Sequence, residues 1–350
     1  MEINSLSKIN TFFRNRRVLV TGGTGFVGSH LVQELIALGA RVVVMSRSSD
    51  PYGYFASEQL HQRVILAQGD VNDERRVFDI VTKYEISSIY HLAAQPLVTT
   101  ALINPRETLE TNIMGTVNVL EAARRSPLVE GVILASSDKA YGKLDRPYRE
   151  SDPLKGDHPY EVSKSAADLI AQTYSKTYNV PVVITRFGNI YGAGDTNPSR
   201  VVPGILLSVL RNEPFQIRSS GQYKRAYVHV NDVVSGYIVL AVKAAQYKGE
   251  SFNFGSSEIY SVIDLVHLIE DALHISIPYD ILNTAINEIP SQSLSFEKAR
   301  SFLSWSPKYR LGEQVLEMFE WYSQYIHHVE GNRNTSVSIS PSSSTIFSVS

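Results

Sequence analysis

The stretch Val18-Leu19-Val20-Thr21-Gly22-Gly23-Thr24-Gly25-Phe26-Val27-Gly28 constrains this chain more than any other. An apolar, β-branched run passes directly into three glycines, at 22, 25 and 28, which open a segment of helical period. A helix start offers unpaired N–H groups and the positive end of the helix dipole, and residues without Cβ let a phosphate approach that backbone closely. Gly22, Thr24, Gly25, Phe26, Val27 and Gly28 are therefore candidates for the wall of a phosphate-binding site. A glycine-rich strand-to-helix turn with no ligand would look the same in isolation, so the rest of the chain has to decide.

From Val18 to Phe187 short β-branched runs alternate with helical segments, at Val18–Val20, Val42–Met45, Val64–Ala67, Ile89–Leu92, Val132–Ala135 and Val182–Thr185. Such alternation predicts an α/β, Rossmann-type doubly wound parallel sheet covered on both faces. Residues 1–187 then form mainly a dinucleotide-binding domain. Between the last two runs, Val162, Ala166, Leu169, Ile170, Thr173 and Tyr174 fall at the spacing of one buried helix face, with Tyr160 and Lys164 at the start of that helix. After Phe187 the alternation stops, and residues 188–330, with helices such as Asp232 to Lys243, read as mainly a smaller mixed α/β substrate lobe. Residues 331–350 are rich in Ser, Thr and Asn and predict a disordered tail, unless Val337 and Ile339 mark an added strand. No internal repeat is visible.

Composition excludes several classes of function. There is no cysteine, hence no disulfide, thiolate nucleophile or thiolate metal site, and no metal is expected. A net charge of −2 gives no reason to expect nucleic acid or an anionic membrane as partner. The opening MEINSLSKINTFFRNRR lacks the apolar core and cleavage site of a secretory signal. The longest apolar stretch, Val201 to Leu210, is broken by Pro203, Gly204 and Ser208 and falls short of the roughly 20 residues that span a bilayer. A cytoplasmic protein is the expectation.

At the end of the second strand, sites specific for NAD usually carry an acid for the ribose 2′-hydroxyl, whereas an arginine accommodates the 2′-phosphate of NADP. Here the sequence is Met45-Ser46-Arg47-Ser48-Ser49, so Arg47 inclines the choice between NAD and NADP towards NADP, although a solvated loop arginine reads the same way. Asp70, after the third strand and before Val71, is a candidate partner for the adenine amino group or a cap for the following helix. Tyr160 and Lys164, four residues apart on a helix, share a face. A phenol with a pKa of about 10 is a poor base at neutral pH, but an ammonium and an oxidised nicotinamide beside it both favour phenolate.

With Ser136-Ser137 ending the fifth strand, the chain resembles the extended short-chain dehydrogenase/reductases, the family of nucleotide-sugar epimerases and 4,6-dehydratases, over residues 16 to 326. Further matches are His91-Leu92-Ala93-Ala94, Thr111-Asn112-Ile113-Met114-Gly115-Thr116, Arg186-Phe187-Gly188-Asn189-Ile190-Tyr191-Gly192 and Arg225-Ala226-Tyr227-Val228-His229-Val230-Asn231-Asp232. The resemblance implies a tightly held NAD or NADP contacted by the glycine loop, Arg47, Asp70, Val71, Leu92, Ala93, Ala94, Asn112, Tyr160 and Lys164. It implies a nucleotide-sugar substrate, with Arg225 and Asn189 on its pyrophosphate, Arg200 as a second cation, and Gln95 nearby. It also implies a homodimer joined through the helix of Tyr160 and that of Asn112 to Arg124.

Within the family, Ser137-Asp138-Lys139 resembles the CDP-glucose 4,6-dehydratases, which carry lysine where most 4,6-dehydratases have glutamate. The sequence departs from them at Ala140-Tyr141-Gly142, Asp195-Thr196-Asn197 and Arg225-Ala226-Tyr227, which look like general epimerases and dehydratases. Oxidising C4 of a hexose acidifies the C5 hydrogen, and the C6 hydroxyl leaves once a positioned acid protonates it. Asp138 is the candidate acid; Ser137 orients the C4 hydroxyl or steadies its oxyanion. Lys139 either takes the C5 proton as an amine or stabilises the enolate as a cation. An epimerase needs Tyr160, Lys164 and Ser137 but not Asp138. A third reading is a cofactor sensor on a retained fold.

Overall fold

A computed structural model describes residues 3–284 and 289–331. The proposed tail from 332 onward, with Val337 and Ile339, lies outside the described residues. Seven strands form one parallel sheet in the spatial order Ile65–Gln68, Arg41–Ser46, Arg17–Thr21, Ser88–His91, Gly131–Ala135, Val182–Phe187 and Ser251–Phe254.

The apolar runs are continuous because both faces of this sheet are buried. Successive side chains point to opposite faces. Val18, Val20, Val42, Val44 and Val183 therefore pack with Leu31, Leu35 and Leu240, while Leu19, Val43, Ile89, Val132 and Ile184 pack with Val77, Ile80, Val119 and Ala171. The N-terminal stretch is helical over Ile3–Phe13, and Ile9 and Phe13 enter the first of these layers.

Six of the seven strands match the predicted runs. The seventh, Ser251–Phe254, comes from beyond residue 187 and pairs with Val182–Phe187, and helix Val230–Val242 covers the same sheet. Sheet and lobe thus interleave in sequence. The lobe is built around strand Lys224–His229, flanked in parallel by Asn189–Tyr191 and Ser291–Gln292 and in antiparallel by Ile259–Tyr260. Helices Val201–Arg211, Val262–Leu273 and Leu311–Glu330 form its core through Ile205, Leu206, Leu265, Ile269, Val315 and Phe319. No helix among the described residues is long and apolar enough to cross a membrane.

The helix of Tyr160 and Lys164 spans Pro159–Tyr178, but its buried face is not the predicted one. Ser163, Lys164, Ala167, Asp168, Ala171 and Ser175 face inward, while Val162 and Leu169 stay 41% and 51% exposed. Polar partners select this face: Lys164 Nζ donates to the Ala135 carbonyl (3.0 Å), and Asp168 takes both Nε and Nη2 of fully buried Arg186 (2.8 and 2.9 Å). Buried charges persist when paired in this way, and the displaced apolar side chains are left on the surface.

Candidate active site

At the glycine loop, Gly22 has φ +70°, and a Cβ there would lie 2.8 Å from the Ala93 nitrogen; at Gly28 a Cβ would lie 2.1 Å from the Gly22 carbonyl oxygen. Both positions need glycine so that strand, loop and helix can touch. Gly25 meets only the Gly22 oxygen, at 3.4 Å, and as N-cap of helix Phe26–Ala37 it offers no side-chain acceptor. The first N–H groups of that helix, at Phe26 and Val27, thus lack a side-chain cap on an open backbone, an arrangement that fits a pyrophosphate. Thr24 ties the loop to the second strand, its Oγ1 lying 3.0 Å from Ser46 Oγ and donating to the Ser48 carbonyl (3.2 Å).

Arg47 and Asp70 meet: Nη1 lies 3.4 Å from Oδ2, and Asp70 Oδ1 accepts from the Asn72 N–H (2.9 Å). The helix cap considered for Asp70 is supplied instead by Asp73, which accepts from Arg76 N. An arginine facing a carboxylate is a poorer receptor for a 2′-phosphate than a free one, since that acid would repel the added charge.

Buried His91 bridges Thr21 (2.7 Å) and Thr116 (3.2 Å), and burial lowers its pKa to about 3 with a smaller effect from Lys164, so it is neutral. Leu92, Ala93 and Ala94 follow it beside the glycine loop, with Ala93 N–H donating to Thr21 Oγ1 (3.2 Å). Asn112 sits in a π-helical turn, Glu110–Met114, a distortion common at functional sites. Its amide is used internally: Oδ1 accepts from Gln95 N (2.7 Å), and Nδ2 donates to the Gln95 carbonyl (3.1 Å) and to Ser163 Oγ (2.9 Å). The Gln95 side chain folds onto the Leu97 backbone. These two residues lock the loop to the helix of Tyr160; neither leaves its whole side chain for a ligand. Val71 packs in the core and its carbonyl accepts from Asn118 (2.8 Å).

After the fifth strand, Ser137 caps a 3₁₀ turn, Asp138–Tyr141, accepting from Lys139 N–H (3.2 Å). Its hydroxyl donates to Asp138 Oδ1 (3.1 Å). Asp138 is buried, with Oδ2 3.9 Å from Lys139 Nζ. Burial first, then the Asp138 charge, raises the Tyr160 pKa to about 12, and the opposing cation is Arg200. Burial lowers Lys164 to about 8. Lys164, expected together with an oxidised nicotinamide to favour the Tyr160 phenolate, places its Nζ on the Ala135 carbonyl (3.0 Å).

In the lobe, Arg200 pairs with buried Asp195 (2.9 Å), and Arg225 Nη1 donates to the Lys224 and Ile289 carbonyls (2.9 and 2.6 Å). Asn189 is held in register with Tyr227, next to Gly188, which lies beside Asp138 Oδ2. Two nearby residues carried no sequence signal. Glu161 is buried beside His158 Nε2 (3.3 Å) and raised to about 7, mainly by burial. Gln292 Oε1 accepts from Lys139 Nζ.

This geometry has relatives. Human dTDP-D-glucose 4,6-dehydratase is 31% identical over 328 residues, covering 89% of this chain and 91% of the human protein. CDP-glucose 4,6-dehydratase of Salmonella typhimurium is 30% identical over 346 residues, covering 90% and 92%. The crystal structure of UDP-glucose 4-epimerase with UDP-glucose from Thermotoga maritima superposes with a TM-score of 0.80 at 27% identity, covering 89% of this chain and 99% of that one. The family model for NAD dependent epimerases/dehydratases matches residues 18–255, from the glycine-loop strand to the seventh strand of the sheet. Of the two dinucleotides, NAD is therefore the one that goes with an Arg47 already facing Asp70, and the chain belongs to the NAD dependent epimerase/dehydratase family of enzymes.

Proposed function

We propose that this enzyme is a nucleotide-sugar 4,6-dehydratase, closest in its catalytic set to the CDP-glucose enzymes. The observation that carries the reading is Asp138: a buried carboxyl joined to Ser137 and close enough to perturb the Tyr160 phenol. An epimerase has no use for an acid there. The Thermotoga maritima likeness favours a 4-epimerase as the second reading, acting through Tyr160, Lys164 and Ser137 alone.

The glycine loop, Leu92–Ala94 and Lys164 would hold NAD, which when bound would supply the acceptor and donor of hydride for this chemistry, and a cationic ring beside Tyr160 would favour its phenolate. Tyr160 takes the C4 hydroxyl proton, with Ser137 orienting that hydroxyl. Asp138 and Lys139 act in the tautomer that leaves the proton on the acid and a free pair on the amine. Lys139 removes the C5 proton, Asp138 protonates the C6 hydroxyl, and water leaves. Lys139 then returns a proton to C5, and the proton held by Tyr160 restores Asp138 through the Ser137 hydroxyl. Arg225, Arg200 and Asn189 are assigned to the diphosphate.

The subunits pair as a homodimer through Val162, Leu169 and Met114, large side chains 41–51% exposed on the adjoining helical segments.

Assayed against a panel of nucleotide sugars in heavy water, the enzyme should give a product one water lighter with deuterium at C5. Asp138→Asn should keep C4 oxidation, read as cofactor absorbance, and slow water loss by about 10²–10⁴-fold. A product of unchanged mass refutes the dehydratase; normal water loss in the variant refutes the role of Asp138.

A further inference from the structure

The catalytic turn is not held by its own domain alone. Gln292 lies on the short strand Ser291–Gln292, in parallel register with Arg225 of strand Lys224–His229, and is 2% exposed. Its side chain reaches from the lobe to the end of the fifth strand of the sheet. The atom facing Lys139 Nζ is the amide oxygen, which accepts from it. The other half of the amide, Nε2, is buried and has no partner among the described residues. Gln292 borders a cavity of about 10 Å³, lined also by Asp138, Gly188, Ser256 and Leu294, which is close to the room one water needs. Gln292 thus contacts Lys139 directly and lines the same small cavity as Asp138.

The backbone around Gln292 is stitched to the loop that leaves the catalytic turn. Tyr148 N–H donates to the Ser293 carbonyl, and Ser295 N–H donates back to the Tyr148 carbonyl, both at 2.9 Å. The Tyr148 hydroxyl donates to the Gly142 carbonyl (2.8 Å), immediately after the turn. Gln292 therefore cannot drift relative to Lys139. Lysine is a flexible four-carbon stem with a rotating ammonium, so a fixed acceptor at its tip removes most of that freedom before substrate arrives. The acceptor is also neutral. A carboxylate here would be a further negative charge on a lysine that already faces Asp138, Glu161 and His158, with Asp157 and Lys143 behind them. It would favour the ammonium over the free amine.

We propose that Gln292 is a positioning residue for the elimination step: it holds Lys139 Nζ over C5 without adding charge, and it ties that position to the strand bearing Arg225. This rests on the dehydratase reading above. No bond is made or broken at Gln292; the C5 proton passes to the Lys139 amine and the Asp138 proton leaves with the C6 oxygen as water.

The test compares wild type, Gln292→Met and Gln292→Glu, each loaded with NAD and given the nucleotide sugar that wild type turns over. Three readouts are followed: cofactor reduction on mixing, C5 deuterium exchange in heavy water, and KM. For Gln292→Met, cofactor reduction and KM should stay within about twofold of wild type, while C5 exchange and water loss fall by about 10- to 100-fold, the scale of a misplaced reacting group. For Gln292→Glu, exchange should be slow near neutral pH and climb back towards wild type as pH rises, whereas Gln292→Met stays slow throughout. If Gln292→Met does not fold, the near-isosteric Gln292→Glu and its pH profile carry the test. Exchange at the wild-type rate in Gln292→Met overturns the assignment. So does an equal loss of cofactor reduction and exchange, the mark of a merely structural role, or a Gln292→Glu profile that superposes on wild type. A wild-type product without water loss or label instead refutes the dehydratase, and this assignment falls with it.

Discussion

Lys164, assigned above to the cofactor, is expensive for folding, and the cost can be worked out. Its Nζ is buried with one carbonyl partner, Ala135, and burial lowers its pKa from 10.5 to about 8, with Asp168 opposing. A folded pKa below the unfolded one means that the unfolded chain binds more protons between those values, so this group's contribution to stability improves as pH rises from about 8 to 10.5 and is at its worst below 8. At about 1.4 kcal/mol per pKa unit, the penalty at neutral pH is roughly 3 kcal/mol. Replacing Lys164 by Met removes that penalty at similar volume and forfeits one hydrogen bond worth about 1 kcal/mol. Cofactor-free Lys164→Met should therefore be more stable than wild type by about 2 kcal/mol at pH 7, with the advantage shrinking towards zero by pH 10 as the wild-type lysine loses its charge. Urea unfolding of both proteins at the two pH values measures this, with coincident fluorescence and circular dichroism transitions as the two-state check. A variant no more stable than wild type at pH 7, or an advantage that does not change with pH, refutes the argument.

Gly28→Ala should nearly abolish NAD binding by equilibrium dialysis, because a Cβ 2.1 Å from the Gly22 oxygen forces the loop and helix start apart; unchanged affinity would mean that the loop does not hold the dinucleotide. Asp168→Ala strands the Arg186 guanidinium at 1% exposure, with Tyr141 Oη (2.6 Å) as its remaining partner, and should cost about 3–5 kcal/mol in urea unfolding. A cost under about 1 kcal/mol, the scale of an exposed pair, would contradict the buried geometry. Leu169→Glu should convert the proposed dimer to a monomer in sedimentation at micromolar concentration without loss of helicity, whereas a dimer that survives it is joined elsewhere.

Local pattern determined a great deal. Three glycines after a β-branched run specify a strand, a tight loop and an open helix start, because backbone approach at 22 and 28 depends only on missing Cβ atoms at fixed spacing. The six apolar runs became strands because a sheet buried on both faces needs uninterrupted apolar side chains. Tyr160 with Lys164, and Ser137 with Asp138, were proposed for the site from their spacing on short segments.

What depends on distant segments was not legible. The inward face of helix Pro159–Tyr178 was chosen by Arg186 and the Ala135 carbonyl, which reward a polar stripe that periodicity counts as surface. The seventh strand, Ser251–Phe254, is too short and too far along the chain to announce its sheet; it joins because the edge of Val182–Phe187 offers unpaired backbone groups. The settings of Tyr160 and Glu161 were also decided in three dimensions, since desolvation and the nearness of Asp138 exist only once the site closes. Gln292 is the extreme case: an ordinary glutamine 153 residues from Lys139, whose hydrogen bond to that lysine exists only because the lobe folds back onto the end of the fifth strand.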